Sequence, residues 1–436
     1  MTIQEIHQLF LKCTSISIDT RKIQPNSLFV SIKGEKFDAN TFAKEALEKG
    51  AQYVIIDNAD FYIDDRTILV EDSLKALQEL AKYHRQHLKL PIIALTGSNG
   101  KTTTKELINV VLAKKYKTKA TVGNLNNHIG VPLTLLSFDK STEIGIVEMG
   151  ANHQKEIEFL CEIAEPDFGY ITNFGKAHLE GFGGVEGVIK GKSEMYNFLE
   201  FNKKIAFVNL DDAIQEEKSR NIERISFSQN NPKASVFIQK VEANPLVSIQ
   251  FNTVTIHSHL IGLYNANNIN AAITIGNYFK IPENQIKDAI ESYVPENNRS
   301  QLLTKGTNEI ILDAYNANPS SMKVALENFI QLSSDNKVVI IGDMFELGEE
   351  SLYEHKEIVT LLLKEDTLSC YFIGNDFYSN KIGNNNFHFY QNFEEFSKSI
   401  EDFNFENNLI LIKGSRGMAL ERVLDLIWIN TNFFVL

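Results

Sequence analysis

The apolar positions of this chain fall into short continuous runs separated by amphipathic segments, a pattern that indicates strands alternating with helices. In the first part of the chain, this alternation of strands and helices extends over fewer than ninety residues. Its predicted strands are residues 27–32 and 53–56, and its predicted helices are residues 41–49 and 73–87. We therefore predict a small N-terminal α/β domain over residues 1–86.

A second series begins with the apolar run at residues 91–96, which is followed by a helix from Lys101 to about residue 115. Its further predicted strands are residues 144–148, 168–172 and 204–208. Continuous apolar strands between helices are typical of a parallel sheet whose two faces are both covered. Apolar and polar residues alternate over residues 235–258, which predicts antiparallel strands near the end of this unit. We predict a central domain with a mostly parallel sheet over residues 87–298.

A third series has apolar runs, each followed by a loop or helix candidate, at residues 309–313, 337–342, 369–374 and 408–413. This pattern indicates a doubly wound, Rossmann-like domain over residues 299–436. The predicted fold class is thus α/β with three domains. A chain of 436 residues is too long for one ordinary core, so its length agrees with this division.

Charge and cysteine content narrow the class of protein. A net charge of −13 argues against a nonspecific nucleic-acid binder, which needs a basic surface. No apolar run reaches the roughly 18 residues of a membrane span. The start of the chain lacks the basic and apolar pattern of a signal peptide. The cysteines Cys13, Cys161 and Cys370 are widely spaced and suit a reducing compartment. We expect a cytoplasmic protein.

The candidate chemistry begins with Thr-Gly-Ser-Asn-Gly-Lys-Thr-Thr-Thr at residues 96–104, between a buried strand and a helix. The general phosphate-loop pattern has its first glycine where this chain has Leu95, so the loop is a shorter Gly-x-x-Gly-Lys-Thr form. Glycines let backbone N–H groups face phosphate oxygens, the lysine supplies charge, and the Thr102 hydroxyl suits Mg²⁺. A coincidental glycine turn is the alternative, but the full context favours ATP. The predicted contacts are Gly97, Ser98, Asn99, Gly100, Lys101, Thr102 and Thr103.

Three more side chains lie near predicted strand or helix ends. Glu148 ends an apolar strand and is either a solvated acid or a Mg²⁺ ligand. His178 follows the next strand and is either structural or a ligand, although imidazole is an uncommon Mg²⁺ ligand. Lys192 lies where we expect a helix to begin, at residues 191–194. It is either a solvated charge or a buried amine able to lose its proton and react.

Four polar segments remain, and several follow predicted strands whose carboxyl ends should share one crevice. Residues 124–132 are rich in side-chain amides and form either a capped turn or a loop that binds substrate or phosphate. Residues 313–321 form either a capped strand-to-helix turn or a grip for a small amine or dipeptide. Residues 342–348 end another strand. Residues 413–417 offer Lys413 and Arg416 to a carboxylate or phosphate.

Together these segments resemble the Mur ligases of bacterial cell-wall synthesis, from residues 18–21 to residues 413–416. The loop at residues 96–104 is similar to the short ATP loop of that family. Residues 313–322 read Asp-Ala-Tyr-Asn-Ala-Asn-Pro-Ser-Ser-Met and are similar to the loop of members that add D-alanyl-D-alanine. The Asp-Asn-Pro-Arg type of loop, found in members that add a diamino acid, is not present. Residues 342–348 agree with the same members.

The resemblance implies roles for individual residues. Thr102, Glu148 and His178 would hold or contact Mg²⁺, and a carbamylated Lys192 would bind a second Mg²⁺. Lys101, His178 and Lys192 would be the catalytic residues. On the nucleotide, the implied contacts include Asn265, Asn268, Arg299 and Asp313. The implied substrate contacts are Thr20, Arg21, Asn126, Asn127, Tyr315, Asn316, Asn318 and Arg416.

The implied reaction joins D-alanyl-D-alanine to UDP-N-acetylmuramoyl-tripeptide through an acyl phosphate, with ATP as the energy source. Domain closure would bring the amine to the acyl phosphate and exclude water. We expect a monomer with neither a nucleic-acid partner nor a membrane span. Two alternatives stay open. One is a different Mur-type or a folylpolyglutamate-type ligase, and the other is a nucleotide-dependent switch that forms no amide.

Overall fold

The computed structural model describes residues 1–296, 298–400 and 405–427, and these form three α/β domains in chain order. Each domain is built on its own sheet, with helices packed against it. In those ranges no helix is both long and apolar enough to cross a membrane. The three-domain α/β fold predicted from the hydrophobic pattern is confirmed.

The N-terminal domain contains a parallel sheet in the order β1-β2-β5-β6 and a separate antiparallel hairpin, β3-β4. Its helices are α1 (Ile3–Phe10), α2 (Ala43–Glu48) and α3 (Ser73–Leu88). Its strands are β1 (Ile16–Ser17), β2 (Leu28–Val30), β3 (Lys33–Gly34), β4 (Phe37–Asp38), β5 (Tyr53–Ile56) and β6 (Thr67–Leu69). Helix α3 is capped at its N-terminus by Asp72, whose side chain accepts a hydrogen bond from the Lys75 N–H. Arg85 near its end pairs with Asp167, which ties this domain to the next.

The central domain has the strand order β15-β14-β13-β12-β11-β10-β7-β9-β8. Its helices are α4 (Lys101–Leu112), α5 (Gly130–Leu136), α6 (Glu156–Ala164), α7 (Leu179–Phe182), α8 (Val185–Phe201), α9 (Ala213–Lys218), α10 (Ala266–Tyr278) and α11 (Glu283–Glu291). Its strands are β7 (Ile92–Thr96), β8 (Thr118–Ala120), β9 (Ile144–Glu148), β10 (Phe168–Ile171), β11 (Ile205–Asn209), β12 (Glu223–Ser228), β13 (Val236–Ala243), β14 (Leu246–Phe251) and β15 (Val254–Ile261). The pairs from β8 to β13 are parallel, and β13-β14-β15 are antiparallel.

The C-terminal domain has the strand order β16-β17-β21-β18-β19-β20. Its described helices are α12 (Pro319–Gln331), α13 (Ser351–Leu362), α14 (Asn375–Ser379), α15 (Phe393–Ser399) and α16 (Val423–Leu426). Its described strands are β16 (Gln301–Lys305), β17 (Asn308–Asp313), β18 (Lys337–Gly342), β19 (Leu368–Ile373), β20 (Phe387–Tyr390) and β21 (Leu409–Lys413). All pairs are parallel except β16-β17. The predicted extension of this domain through residues 428–436 lies outside the described residues.

The prediction that a helix begins at residues 191–194 is wrong. Helix α8 begins at Val185, directly after Gly183 and Gly184, which have φ angles of +75° and +96°. Both glycines adopt backbone conformations that other residues rarely reach, so α7 can end and α8 can begin within two residues. Lys192 therefore lies in the middle of a 17-residue helix, where packing against neighbouring elements removes it from solvent.

Strands β10, β7 and β9 are neighbours in the central sheet, and their carboxyl ends share one edge. The loops that begin at Gly97, Met149 and Thr172 therefore leave the sheet side by side. In the C-terminal domain, β17, β21 and β18 are likewise neighbours, and they end at Asp313, Lys413 and Gly342. Loops from both edges line a single cavity, as expected for sites at the carboxyl ends of parallel strands.

Candidate active site

A cavity of about 750 Å³ lies between the central and C-terminal domains. It brings together most of the residues singled out in the sequence. Those that line it are Ser98, Asn99, Gly100, Lys101, Thr102, Thr103, Asn126, Asn127, Glu148, His178, Asn265, Asn268, Arg299, Asp313, Tyr315, Asn316 and Asn318. The structure does not place Gly97, Lys192, Thr20, Arg21 or Arg416 on its lining.

The phosphate loop depends on its two glycines for different reasons. Gly97 has a φ of +138°, and a Cβ there would lie 2.0 Å from Oγ1 of Thr172. Gly100 has a φ of +79°, and a Cβ there would lie 2.6 Å from Oδ1 of Asn268. Gly100 is also the N-cap of α4, which has no side-chain cap. The first N–H groups of α4 are thus available to an anion, and the helix dipole favours negative charge at this end.

Lys101 lies folded over the loop. Its Nζ donates to the carbonyl oxygens of Gly97 at 2.7 Å and Ser98 at 3.3 Å. Burial lowers the pKa of Lys101, and the nearby Glu148 carboxylate opposes that shift. A half-buried cation whose hydrogen bonds go only to carbonyl oxygens lacks a full counter-charge, so an anionic group in the cavity would stabilise it.

Asn268 joins the phosphate loop to α10. Its Oδ1 accepts a hydrogen bond from the Thr104 hydroxyl at 3.0 Å, and its Nδ2 donates to Oδ1 of Asn265 at 2.8 Å. Asn265 in turn donates to the carbonyl oxygen of Ile261, at the end of β15. This chain of amides positions α10 against α4 and leaves both asparagines on the cavity wall.

Glu148 is buried, with 2% of its surface exposed. Its Oε1 accepts a hydrogen bond from Nδ2 of Asn126 at 2.8 Å, and its backbone N–H donates to the Thr121 hydroxyl. Its Oε2 is buried with no hydrogen-bond partner among the described residues. A buried carboxylate oxygen without a donor is costly unless a cation or another donor binds it. This oxygen fits a Mg²⁺ ligand.

His178 is held by the C-terminal domain. Its Nδ1 forms a hydrogen bond with Oε2 of Glu346. If Nδ1 carries the proton, Nε2 keeps a lone pair for a ligand in the cavity, the arrangement that orients metal-binding histidines elsewhere. Burial lowers the pKa of His178, and the positive charges of Lys101 and Lys192 lower it further. The negative charge of Glu346 acts in the opposite direction and raises it.

Lys192 is 1% exposed and lies behind the cavity wall. Its Nζ donates to the carbonyl oxygen of Ala151 at 3.3 Å and lies 5.0 Å from the ring centroid of Phe182. Glu194, two residues on, instead accepts hydrogen bonds from the N–H groups of Lys155 and Glu158. Burial and the charge of Lys101 lower the pKa of Lys192 well below its usual value, which favours a neutral amine.

The wall formed by the C-terminal domain is organised around Asp313 and Lys413. Lys413 is buried, and its Nζ donates to Oδ2 of Asp313 at 2.5 Å and to the carbonyl oxygen of Asn316 at 3.3 Å. The Ser300 N–H donates to the other oxygen of Asp313. The Arg299 guanidinium lies 3.6 Å from the ring centroid of Tyr315, a stacked cation–π contact. These contacts hold the loop of residues 313–318 in place on the cavity wall.

The predicted residues outside the cavity have other surroundings. Thr20 and Arg21 lie in a short 3₁₀ helix of the N-terminal domain, where Arg21 is largely exposed and pairs with Asp19. Arg416 pairs with Glu421, and its guanidinium lies 5.9 Å from the ring centroid of Tyr315.

Three residues contribute to the site through contacts within the protein that the sequence does not predict. Asn173 accepts a hydrogen bond from the Asn99 N–H through Oδ1, and Glu346 contacts His178. Lys413 binds Asp313. All three lie in strand-end segments that stand out in the sequence, but no local pattern shows which of their polar side chains face the cavity. In residues 342–348, for example, the Asp343 carboxylate does not line the cavity; it accepts hydrogen bonds from the N–H groups of Asp376 and Phe377.

The fold and this cavity define a phosphate-loop protein in which a second, Rossmann-like domain forms the other wall of the cavity. Comparison with known families gives three matches. The Mur ligase family catalytic domain matches residues 12–85. The Mur ligase middle domain matches residues 95–276, and the Mur ligase glutamate ligase domain matches residues 298–416.

Similar proteins cover nearly the whole chain. UDP-N-acetylmuramoyl-tripeptide–D-alanyl-D-alanine ligase of Bacillus subtilis (strain 168) is 34% identical, covering 94% of this chain and 93% of that protein. Among solved structures, MurF from Acinetobacter baumannii has a TM-score of 0.86 at 29% identity, with 98% of both chains covered. MurF ligase from Thermotoga maritima in complex with ADP has a TM-score of 0.83 at 26% identity, covering 96% and 97%. This chain belongs to the Mur ligase family, whose members are ATP-dependent ligases that form carbon–nitrogen bonds.

Proposed function

We propose that this enzyme joins D-alanyl-D-alanine to UDP-N-acetylmuramoyl-tripeptide in the synthesis of peptidoglycan precursors. The observation that carries the proposal is the single cavity shared by the phosphate loop and residues 313–318. Relatives that match nearly the whole chain are named for the same two substrates, which supports this choice. ATP would bind at residues 97–103, with Asn268, Arg299 and Asp313 as further nucleotide contacts.

In the proposed reaction, an oxygen of the tripeptide carboxylate attacks the γ-phosphorus of ATP, and ADP leaves. The amine nitrogen of D-alanyl-D-alanine then attacks the acyl carbon. The carbon–oxygen bond to phosphate breaks, inorganic phosphate leaves, and one proton is released for each amide formed. Lys101 would bind the transferred phosphoryl oxygens and reduce the repulsion between carboxylate and phosphate. Closure around the cavity would keep water from the acyl phosphate.

Thr102, Glu148 and His178 would hold or contact Mg²⁺, and the unpartnered Oε2 of Glu148 is the observation that supports this set. When bound, Mg²⁺ supplies positive charge beside the phosphates. Lys192 would be carbamylated: its neutral amine forms a bond to the carbon of CO₂, one proton is lost, and the product is an anion able to bind a second Mg²⁺. Near-complete burial and a single weak hydrogen bond support this assignment of Lys192.

The substrates would occupy both sides of the cavity. Asn126 and Asn127 on the central domain would contact the tripeptide or its phosphate, while Tyr315, Asn316, Asn318 and Arg416 would bind the dipeptide. Thr20 and Arg21 would bind the UDP-sugar in the N-terminal domain. We further propose domain limits at residues 1–86, 87–298 and 299–436, a monomeric state and a cytoplasmic location, where ATP and nucleotide-linked precursors occur.

The decisive experiment is mass detection of the product from UDP-N-acetylmuramoyl-tripeptide, ATP and D-alanyl-D-alanine. The expected product has the mass of the two substrates less one water, and one ADP and one phosphate form for each product. The same assay with a diamino acid or glutamate in place of the dipeptide separates the related ligases. Product with one of those amines, and none with D-alanyl-D-alanine, would overturn the choice of substrate. Slow hydrolysis of ATP without any amide would indicate a nucleotide switch.

A further inference from the structure

Asn99 of the phosphate loop and Asn318 of the C-terminal domain are in direct contact, although 219 residues separate them in the chain. The Nδ2 group of Asn318 donates to Oδ1 of Asn99 at 2.7 Å. The reverse contact, from Nδ2 of Asn99 to Oδ1 of Asn318, measures 3.5 Å. The pair therefore has one strong hydrogen bond, directed from the C-terminal domain to the phosphate loop.

The orientation of the Asn318 amide is set by its own helix. Asn318 is the N-cap of α12, and its Oδ1 accepts the Ser321 N–H at 2.9 Å in a capping box. A backbone N–H can only donate, so the oxygen of this amide must face the helix. Its Nδ2 group consequently faces Asn99. Because 8% of Asn318 is exposed, water has little access to replace that partner.

Asn99 is itself fixed by hydrogen bonds to the loop that follows β10. Its N–H donates to Oδ1 of Asn173, and its carbonyl oxygen accepts hydrogen bonds from the Thr172 hydroxyl at 2.6 Å and from Nδ2 of Asn173 at 3.0 Å. These partners follow β10, beside the strand that leads into the phosphate loop. A displacement of Asn318 would thus act on a loop that has little freedom to follow it.

Other contacts between the two domains surround the pair. The Lys176 N–H donates to the Ser320 hydroxyl at 2.8 Å, and Lys176 Nζ pairs with Glu354 at 2.5 Å. Gly175 lies so close that a Cβ there would be 2.9 Å from Nδ2 of Asn99 and 3.1 Å from Cβ of Ser320. This part of the interface is polar. Such interfaces separate more readily than apolar ones, so these contacts can break and re-form during turnover.

We propose that Asn318, in addition to its proposed contact with the dipeptide, is a positioning residue: its hydrogen bond to Asn99 holds the C-terminal domain in register with the phosphate loop. The inference rests on the proposed function, because it concerns how that reaction brings the dipeptide to the activated carboxylate. Tyr315 and Asn316 lie in the same loop as Asn318, so the Asn99–Asn318 hydrogen bond sets their distance from the bound phosphates. Small errors in such a distance slow a reaction without weakening nucleotide binding.

The test uses Asn318→Ser, because serine also caps helices but is too short to reach Asn99. The matched control is Asn392→Ser in the full-length protein. Asn392 caps α15 in the same domain, accepting the Glu395 N–H at 2.9 Å. We expect the kcat for ligation to fall about tenfold in Asn318→Ser, with KM for ATP within about twofold of wild type. Asn392→Ser should keep the wild-type kcat.

A double-mutant cycle with Asn99→Ala shows whether the two residues act together. If they do, the double variant loses no more activity than the more impaired single variant. Losses that multiply, or an Asn318→Ser enzyme that ligates like Asn392→Ser, would overturn the proposal.

X-ray scattering with bound ADP gives a readout that does not need ligation. A larger radius of gyration for Asn318→Ser than for Asn392→Ser supports the positioning role, and equal values contradict it. Wild-type protein that makes no amide would refute the proposed function, while the scattering comparison would still decide this inference.

Discussion

Glu148 accepts a hydrogen bond from Nδ2 of Asn126 through Oε1, and its Oε2 is buried with no hydrogen-bond partner among the described residues. The amide fixes the orientation of the carboxylate, and Glu148 is one of the residues that line the cavity. A carboxylate in this state is stabilised by a cation. The pair therefore links the end of β9 to the proposed Mg²⁺ site.

Glu148→Gln should lower ligation by about 100-fold at fixed Mg²⁺ and raise the Mg²⁺ concentration needed for half-maximal rate. The physical reason is the loss of the negative charge that would bind the ion. Initial rates over a Mg²⁺ titration measure both effects. Glu143→Gln is the control, since Glu143 directly precedes the same strand and is exposed. Equal Mg²⁺ dependence in the two variants would contradict the assignment.

Lys192→Ala should abolish most ligation, and short-chain carboxylates should restore part of it by occupying the place of the carbamate. Intact-protein mass spectra at neutral pH should show wild-type protein heavier by one CO₂, with the addition lost in acid. Lys190→Ala, an exposed lysine on the same helix, should retain both the activity and the added mass. Full ligation by Lys192→Ala would disprove the carbamate.

Gly97→Ala should reduce nucleotide binding strongly, because its Cβ would overlap Oγ1 of Thr172 and its φ of +138° disfavours other residues. We expect the Kd for ADP to rise by at least about tenfold, as isothermal titration calorimetry would show. Gly383→Ala is the control, since a Cβ at Gly383 meets nothing within 4 Å. Unchanged ADP affinity in Gly97→Ala would show that the close approach of the loop to Thr172 is not needed for binding.

The contact between α1 and α3 should make folding sensitive to acid. His84 Nε2 faces the Phe138 carbonyl oxygen and must donate, so His84 Nδ1 accepts from His7 Nε2 at 3.0 Å. Burial lowers the pKa of His7 to about 4 and also lowers that of His84. Both imidazoles are therefore neutral in the fold at neutral pH, and the hydrogen bond requires that His84 Nδ1 carry no proton.

A group whose folded pKa is lowered contributes stability above its unfolded pKa, about 6.5 for histidine, and that contribution is lost as the pH falls. We expect the free energy of unfolding to decrease by on the order of 3 kcal/mol between pH 6.5 and 4 from His7. His7→Phe should be less stable at neutral pH but lose less on acidification, as denaturant titrations would measure. The control variant His259→Asn changes an exposed histidine, so its free energy of unfolding should depend on pH as in the wild type. An equally steep loss in His7→Phe would exclude this pair as the cause.

The local elements of the site could be predicted because their signals lie within a few residues. Ile92–Thr96 is fully buried and leads into two glycines, a lysine and a helix, and each of these features acts on its immediate neighbours. The capped turn before Pro319 could be predicted for the same reason, because its signal also lies in adjacent residues. The sequence predicts the start of α8 too late because Gly187 and Gly191, which lie within this helix, locally favour a break in it. In the fold they allow Phe182 to pack closely against the helix.

By itself, the sequence determined the three α/β series, the phosphate loop and the polar segment at residues 313–322, since hydrophobic period and turn chemistry are properties of adjacent positions. Only the tertiary structure decided which polar groups meet. The order of the strands brings Asn126 into contact with Glu148. Packing of the domains brings Asn318 into contact with Asn99, and Glu346 into contact with His178. The buried position of α8 removes Lys192 from solvent. Burial and partner choice depend on elements far apart in the chain, and no local pattern encodes them.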